Sequence, residues 1–548
     1  MEASDGRGSE DGKGRVSVVV IAYNDAELVG EAVASALAQG EVVAEVIAVD
    51  DCSSDGTPQV LDELAAAHPK VRVIHRERNS GGCGTPRNDG IGAATAPYVL
   101  FLDSDDVLPP GAATALVAAA ERHGAPVTVG SCVRRELPQH HDVPWVPGLY
   151  EAPAVIGSPA DKPALVRDTL CVNKLYARAF LDEHGIRFPD GRFVYEDFVF
   201  TARVLAAAPR IAVVPELVYV WHVRRSAAQV SISLDRADIG NWQSRINAHR
   251  TAVEILRAAG ADDLVTACRV KFLEYDLRMY LREIGQDPDY QADWWRLTRS
   301  YLDEFEPAEV AAAGAAARWA VHVLQAAAEP PADLDRLVQF AADPPRLLPP
   351  YALADGEPVW SAELPAARLD GLAELPLAEL PVIVDARLVT GLVGELRVRV
   401  HDLYGRLAQA GPTTAHLEFD TRRGDEPALS RPVELRADGS DAWTAKLPVG
   451  MTALAAAGRR RGRRGLQVWD VRLRVHCADG SSLLASVRPV SDRLGRSALA
   501  SSRYGVLLVQ PYVTSNNSLA LRLAPGLHGA VSLVRNRMDR ARMRRQLG

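Results

Sequence analysis

Cysteine is scarce: the chain has six in 548 residues (Cys52, Cys83, Cys132, Cys171, Cys268 and Cys477), far apart and never as a Cys-x-x-Cys pair. That pattern argues against a disulfide framework or a structural zinc site and fits reduced thiols. No run of about 18 or more apolar residues occurs, so no membrane-spanning helix is expected. The opening residues are rich in Gly, Asp, Glu and Ser and lack the apolar core of a secretory signal, so residues 1–15 read as a disordered tail. A strong charge imbalance is missing as well. The formal net charge of −8 argues against a nucleic-acid-binding protein, and 47% apolar with 24% charged residues is ordinary globular composition. At about 150 residues per domain, the length predicts several units.

The apolar run from Val16 to Ile21, broken by Ser17, reads as a buried strand running into Ala22-Tyr23-Asn24-Asp25. Leu28, Val33, Ala36 and Leu37 have helical spacing. A strand over Val46 to Val49 then ends in Asp50-Asp51-Cys52-Ser53-Ser54-Asp55-Gly56-Thr57, and a helix (about Pro58 to Ala67) leads to a strand over Val71 to Ile74. This alternation predicts a parallel sheet with right-handed crossovers, its polar strand ends along one edge. Tyr98 to Leu102 is a further apolar strand, and Asp103-Ser104-Asp105-Asp106 follows it. Carboxylates at the lip of such a sheet suit a hard divalent cation, Mn²⁺ or Mg²⁺; a solvated acidic turn is the plainer alternative. Gly81-Gly82-Cys83-Gly84-Thr85-Pro86-Arg87-Asn88 either lets backbone approach a ligand, with Arg87 on a phosphate, or is an ordinary loop entering a helix at Pro86.

Taken in order, Ala22-Tyr23-Asn24, Val49-Asp50-Asp51 through Thr57, Arg87-Asn88 and Asp103-Ser104-Asp105-Asp106 resemble the family 2 glycosyltransferases of the GT-A fold. The resemblance implies an α/β, Rossmann-like catalytic domain over 16–235, a UDP-sugar donor and inversion at the anomeric carbon. It places Tyr23 and Asp50 or Asp51 at base and ribose, and Arg87 near the uracil or phosphates. Asp103, Ser104 and Asp105 would sit at the ribose and metal-diphosphate. Cys52 stands where the family usually has glycine, and Pro86 where it has a small residue. Downstream, Val172-Asn173-Lys174 and Tyr195-Glu196-Asp197-Phe198 continue the likeness, with Asp197 taken as the base that deprotonates an acceptor hydroxyl. Glu196-Asp197 can also simply open a helix and complement its dipole. His222, after Val218-Tyr219-Val220-Trp221, is a candidate metal or diphosphate ligand or a structural histidine, and Arg225 and Ser226 are candidates to close over the donor.

Residues 236–328 read as helical, and the proline pairs Pro330-Pro331, Pro344-Pro345 and Pro349-Pro350 suggest a stiff linker over 329–375. Alternating runs such as Leu396 to Val400 and Val468 to Val475 predict a β-sandwich over 376–525, as one or two immunoglobulin-like modules. Arg459 to Arg464 reads as a basic loop, and 526–548 as a basic tail. Both are either solvated surface or contacts for a polyanion or lipid headgroups. This order of domains is similar to the wall teichoic acid glycosyltransferases. It implies a polymeric acceptor, polyanionic where it is a polyol-phosphate chain, a homo-oligomer formed through the C-terminal half, and a cytoplasmic place, either free or peripheral at the inner face of the membrane. A capsular or other surface polysaccharide transferase, and a catalytically silent scaffold, are the alternative readings.

Overall fold

The computed structural model describes residues 14–138, 140–224, 236–342, 346–390, 394–421, 429–460, 465–490, 494–514 and 516–526. Packing divides them into two units, one of residues up to 272 with 305–312, the other of 273–304 with 313 onward.

The first unit alternates strand and helix from its start: β1 (Val16–Ala22), α1 (Val29–Leu37), β2 (Val43–Asp50), α2 (Thr57–Ala67), β3 (Val71–His75), α3 (Gly84–Ala93), β4 (Tyr98–Asp103) and α4 (Ala112–His123). Every residue of β1 is buried, as its unbroken apolar sequence requires of a strand covered on both faces. After these come β5 (Val127–Leu137), β6 (His141–Pro144), β7 (Ala154–Ile156), β8 (Lys174–Ala177), α5 (Arg178–Glu183), α6 (Glu196–Ala207) and β9 (Ile211–Arg224). The nine-stranded sheet runs β3-β2-β1-β4-β8-β5-β9-β7, with β6 on β5. Strands β3, β2, β1 and β4 are mutually parallel, whereas β8 lies antiparallel between β4 and β5. The chain winds outward from β1 to β3, then crosses to the other side of β1 to form β4. Between β1 and β4, therefore, the direction of winding reverses, and open α/β sheets bind ligands beyond the strand ends at such a point.

Helices α7 (Ile239–Ala258) and α8 (Asp262–Lys271) belong to this unit. The helical segment expected over 236–328 is thus shared between the two units. The second unit carries α9 (Arg278–Leu281) and α10 (Pro288–Leu302), while the short α11 (Pro307–Ala311) returns to the first, where Glu309 pairs with Arg257 and Arg269.

Beyond α12 (Ala315–Ala326), the expected linker is folded. It contains α13 (Leu334–Ala341) and a three-stranded antiparallel sheet of β10 (Ala352–Ala354), β11 (Glu357–Ser361) and β12 (Leu364–Arg368). Buried Arg336 explains it: the guanidinium lies 4.0 Å over the Trp360 ring and donates to the carbonyls of Leu348, Pro350 and Trp360. The proline pairs interrupt helices there without freeing the chain.

The C-terminal part is all-β apart from two short helices and a 3-10 turn, with β13 (Val384–Val389), β14 (Gly394–His401), α14 (Arg406–Ala410), β15 (Pro412–Asp420), β16 (Leu429–Val433), β17 (Arg436–Ala437), β18 (Ala442–Val449), α15 (Met451–Arg460), β19 (Gln467–Cys477), β20 (Ser482–Pro489), β21 (Ser497–Ser501), β22 (Gly505–Val513) and β23 (Leu519–Pro525). Leu396, Val398 and Val400, with Val471, Leu473 and Val475, point inward between outward arginines, as period-two sequences dictate. The eleven strands form one hydrogen-bonded sheet, bridged where β13 runs parallel to β20. Arg459 and Arg460 close helix α15 instead of lying in a loop, because the preceding alanines continue the helical pattern. Residues 461–464 and the tail from 527 lie outside the described residues. No described helix is long and apolar enough to cross a membrane.

Candidate functional site

Parallel pairing places the strand ends level: Ala22 lies opposite Asp50, and Ile21 opposite Asp103. Polar residues following three neighbouring strands therefore share one edge, at the reversal between β1 and β4. Tyr23 leaves its ring 46% exposed there, while Asn24 adopts a left-handed backbone and binds the β2 loop through Ser53 and Ser54. Ser104 is buried and donates its hydroxyl to Asp25, tying the loops after β1 and β4 together.

Asp50 and Asp51 are buried and occupied. Asp50 accepts from the Ser53 amide and faces His75; Asp51 is bound by Asn79, Ser80 and Arg76. They shape the wall of the edge beside the exposed Tyr23.

Arg87, expected near uracil or phosphate, is placed among carboxylates. It is 3% exposed, and its Nη1 donates to Glu196 Oε1 at 2.6 Å and Asp197 Oδ1 at 3.0 Å, while Nη2 donates to Asp103 Oδ1 at 2.8 Å. The physical reason is charge: three carboxylates converge on the first turn of α3, and a buried cation is their counter-charge. Glu196 and Asp197 do open helix α6, after Tyr195 in the left-handed region, and they also complete this cluster. Burial and the neighbouring Asp197 charge push Glu196 up to about 7, against the pull of Arg87. Burial likewise raises Asp197, offset by Arg87, and the Cys171 amide donates to its Oδ2 at 3.3 Å.

Asp105 is half-buried, and its partial burial beside the Asp103 charge pushes its carboxyl up to about 6 despite Arg224 at 3.3 Å. His222 rests its Nδ1 3.0 Å from the Asp105 carbonyl. A carbonyl only accepts, so Nδ1 carries the proton and Nε2 keeps a lone pair; burial keeps the ring below its ordinary value, hence neutral. Among the described residues, no three His, Cys, Asp or Glu side chains form a ready-made ion cage. Asp103, Asp105 and His222, the expected ligands, therefore form no preformed ion site by themselves, and a hard cation there would need further oxygen ligands such as those of a diphosphate. Arg225 and Ser226 lie outside the described residues.

Three contributors escaped the motif reading. Buried Tyr219 accepts from the Asp103 amide at 3.2 Å and donates to Asp106 at 2.6 Å; Asp106 in turn accepts from the His222 amide at 2.7 Å. Arg224 holds Asp105, and buried Asp168 gathers Trp145, Tyr150, Asn173 and Lys174 beneath the site. A tyrosine inside an apolar strand is a sign of a buried hydroxyl needing partners, the one signal the sequence carries for Tyr219.

Residues 17–153 match the family described as Glycosyl transferase family 2. The succinoglycan biosynthesis protein ExoO of Rhizobium meliloti (strain 1021) is 32% identical over 237 residues, 41% of this chain and 65% of that one. A poly(ribitol-phosphate) beta-glucosyltransferase of Bacillus spizizenii is 27% identical over 303 residues, 53% of this chain and 45% of that one. The chain thus spans less than two thirds of either relative's length. In fold it is similar to the crystal structure of S. aureus TarS, with a TM-score of 0.52 at 18% identity over 93% of this chain and 85% of that one. The match over residues 17–153 agrees with the strand order and the strand-end motifs of that part of the chain, which are similar to those of family 2 glycosyltransferases of the GT-A fold.

Proposed function

We propose that this chain is an inverting, metal-dependent glycosyltransferase that moves a sugar from a UDP-sugar to a hydroxyl of a cell-surface polymer such as a polyol-phosphate chain. The observation that carries the reading is the meeting of Asp103 with Glu196 and Asp197 through Arg87 at the sheet's reversal point. Donor-side and base-side carboxylates are thereby neighbours. Asp197 accepts the proton of the acceptor hydroxyl as its oxygen bonds to the anomeric carbon and the bond from that carbon to the diphosphate oxygen breaks. Attack on the face opposite the departing UDP inverts the configuration. Tyr23 offers its exposed ring to the base, with Ala22, Asn24 and the Asp50-Asp51 loop forming the floor, and Ser104 keeps the two loops together. A Mn²⁺ or Mg²⁺ ion held by Asp103, Asp105 and His222 would neutralise charge on the leaving diphosphate.

The similarity to a poly(ribitol-phosphate) beta-glucosyltransferase supports a polyol-phosphate acceptor. The higher identity to ExoO supports a capsular or other surface polysaccharide as the second reading. Assembly through the second unit and peripheral contact with the inner membrane face belong to the first reading, and sedimentation of the full chain and its flotation with anionic vesicles test them.

UDP release is the decisive measurement, from a panel of UDP-sugars with Mn²⁺ or Mg²⁺ and with either poly(ribitol phosphate) or neutral glycan as acceptor. We expect release that a chelator abolishes and Asp197→Ala removes. Full turnover by Asp197→Ala, or no release with any donor, sinks the proposal. Added salt should weaken a polyanionic acceptor far more than the donor.

A further inference from the structure

Arg87 comes from α3, Asp103 from the end of β4, and Glu196 and Asp197 from the first turn of α6, more than a hundred residues downstream of Arg87 in the sequence. One guanidinium therefore joins three separate elements. Nη1 donates to two of the carboxylates and Nη2 to the third, so the fork spans the whole cluster, with Nε buried behind it. The guanidinium carbon lies 5.3 Å from the Phe188 ring centre, and Phe188 itself stacks on Phe200 of α6 at 3.9 Å. Helix α3 is equally fixed, because Gly90 lies so close to Val19 of β1 that even a methyl group meets its side chain. A planar fork set between rigid elements holds its partners in direction as well as in distance, which a lysine ammonium does not do.

We propose that Arg87 is a positioning residue that fastens the base-side pair Glu196 and Asp197 to the donor-side Asp103, fixing where an acceptor oxygen is deprotonated relative to the anomeric carbon. The inference rests on the transferase reading and concerns the same site. It replaces direct pairing of Arg87 with uracil or diphosphate. Loss of the fork leaves the donor bound and misplaces the base.

The test compares the full-length parent chain with Arg87→Lys, Asp197→Asn and the double variant. Turnover is followed by UDP release from the parent's preferred UDP-sugar, and binding by calorimetry with UDP and Mn²⁺. Arg87→Lys is expected to lower kcat by about 10- to 100-fold, the range for groups that orient a ligating or reacting side chain, with the UDP Kd and donor KM at parent values. Because Arg87 acts through Asp197, adding Arg87→Lys to Asp197→Asn should cost little more. A rise in UDP Kd that matches the loss of turnover overturns the positioning role and restores a phosphate contact. Losses that multiply in the double variant overturn it too. If Arg87→Lys does not fold, judged by thermal melting, Arg87→Gln enters the same comparison with the same outcomes deciding. Failure of the transferase reading looks different: the parent itself then releases no UDP from any nucleotide sugar.

Discussion

Tyr219 donates its hydroxyl to Asp106 at 2.6 Å while accepting the Asp103 amide, so one side chain from β9 closes the turn that carries the Asp-x-Asp unit. Asp106 has its carboxyl raised by burial and by the charges of Asp105 and Asp103, and the hydroxyl is one of the few groups bound to it. Tyr219→Phe keeps the ring and deletes both hydrogen bonds. Denaturant melts should show a loss of about 1–3 kcal/mol, the cost of leaving a buried polar group unpaired. The Mn²⁺ concentration for half-maximal UDP release should rise as Asp103 and Asp105 lose their fixed spacing.

The Glu196-Asp197 pair predicts an acid limb near neutrality. With Glu196 pushed up to about 7, a proton resides on the pair below that pH and the base is occupied. A kcat/KM profile should rise with pH through about 7, and Glu196→Gln should move that limb to lower pH. Stability runs the opposite way. The folded pKa exceeds the ordinary 4.5, so this group's contribution is full below 4.5 and is lost as pH rises through about 7.

Asp168 is buried, and burial alone would raise its carboxyl. The Lys174 charge and hydrogen bonds from Lys174, Tyr150 and Asn173 overcome that and hold it below the ordinary 3.8. Its contribution to stability is therefore present above 3.8 and lost as pH falls through the lower folded value. Asp168→Ala leaves Lys174 buried without its counter-charge and should cost about 3–5 kcal/mol by chemical denaturation at pH 7.

Gly90→Ala and Gly92→Ala make a matched pair on α3. A methyl at position 90 runs into Val19, whereas nothing lies within 4 Å at position 92. The first should destabilise by about 1–3 kcal/mol through overpacking and reduce turnover, since α3 carries Arg87. The second should stabilise by about 0.5–1 kcal/mol, the helical preference for alanine over glycine. Equal melting temperatures for both would contradict the close packing of α3 on β1.

Tyr23→Ala removes the exposed ring beside the strand ends. If that ring stacks on the uracil, UDP affinity should fall by about 1–3 kcal/mol in calorimetry, with melting unchanged because the side chain contributes little to the core.

The sequence by itself determined the parallel sheet, its acidic edge and the all-β C-terminal part. Each depends on local periodicity: an apolar run such as Val16 to Ile21 is buried whichever partner it meets, and alternation such as that of Val468 to Val475 has one dry face in any sheet. It also marked Asp103 and Asp105 as candidates, since a strand end is a local feature, and the family resemblance added Asp197. The partners of charged groups are not local, and only the tertiary structure decided them. Arg87 reads as a phosphate ligand while its neighbours in sequence are all one can see; folding brings Glu196 and Asp197 to it, and their unbalanced charge claims the guanidinium. The proline-rich stretch shows the same limit. Its sequence breaks helices, but Arg336 and Trp360, 24 residues apart, bind it into a folded layer through contacts that no local pattern encodes.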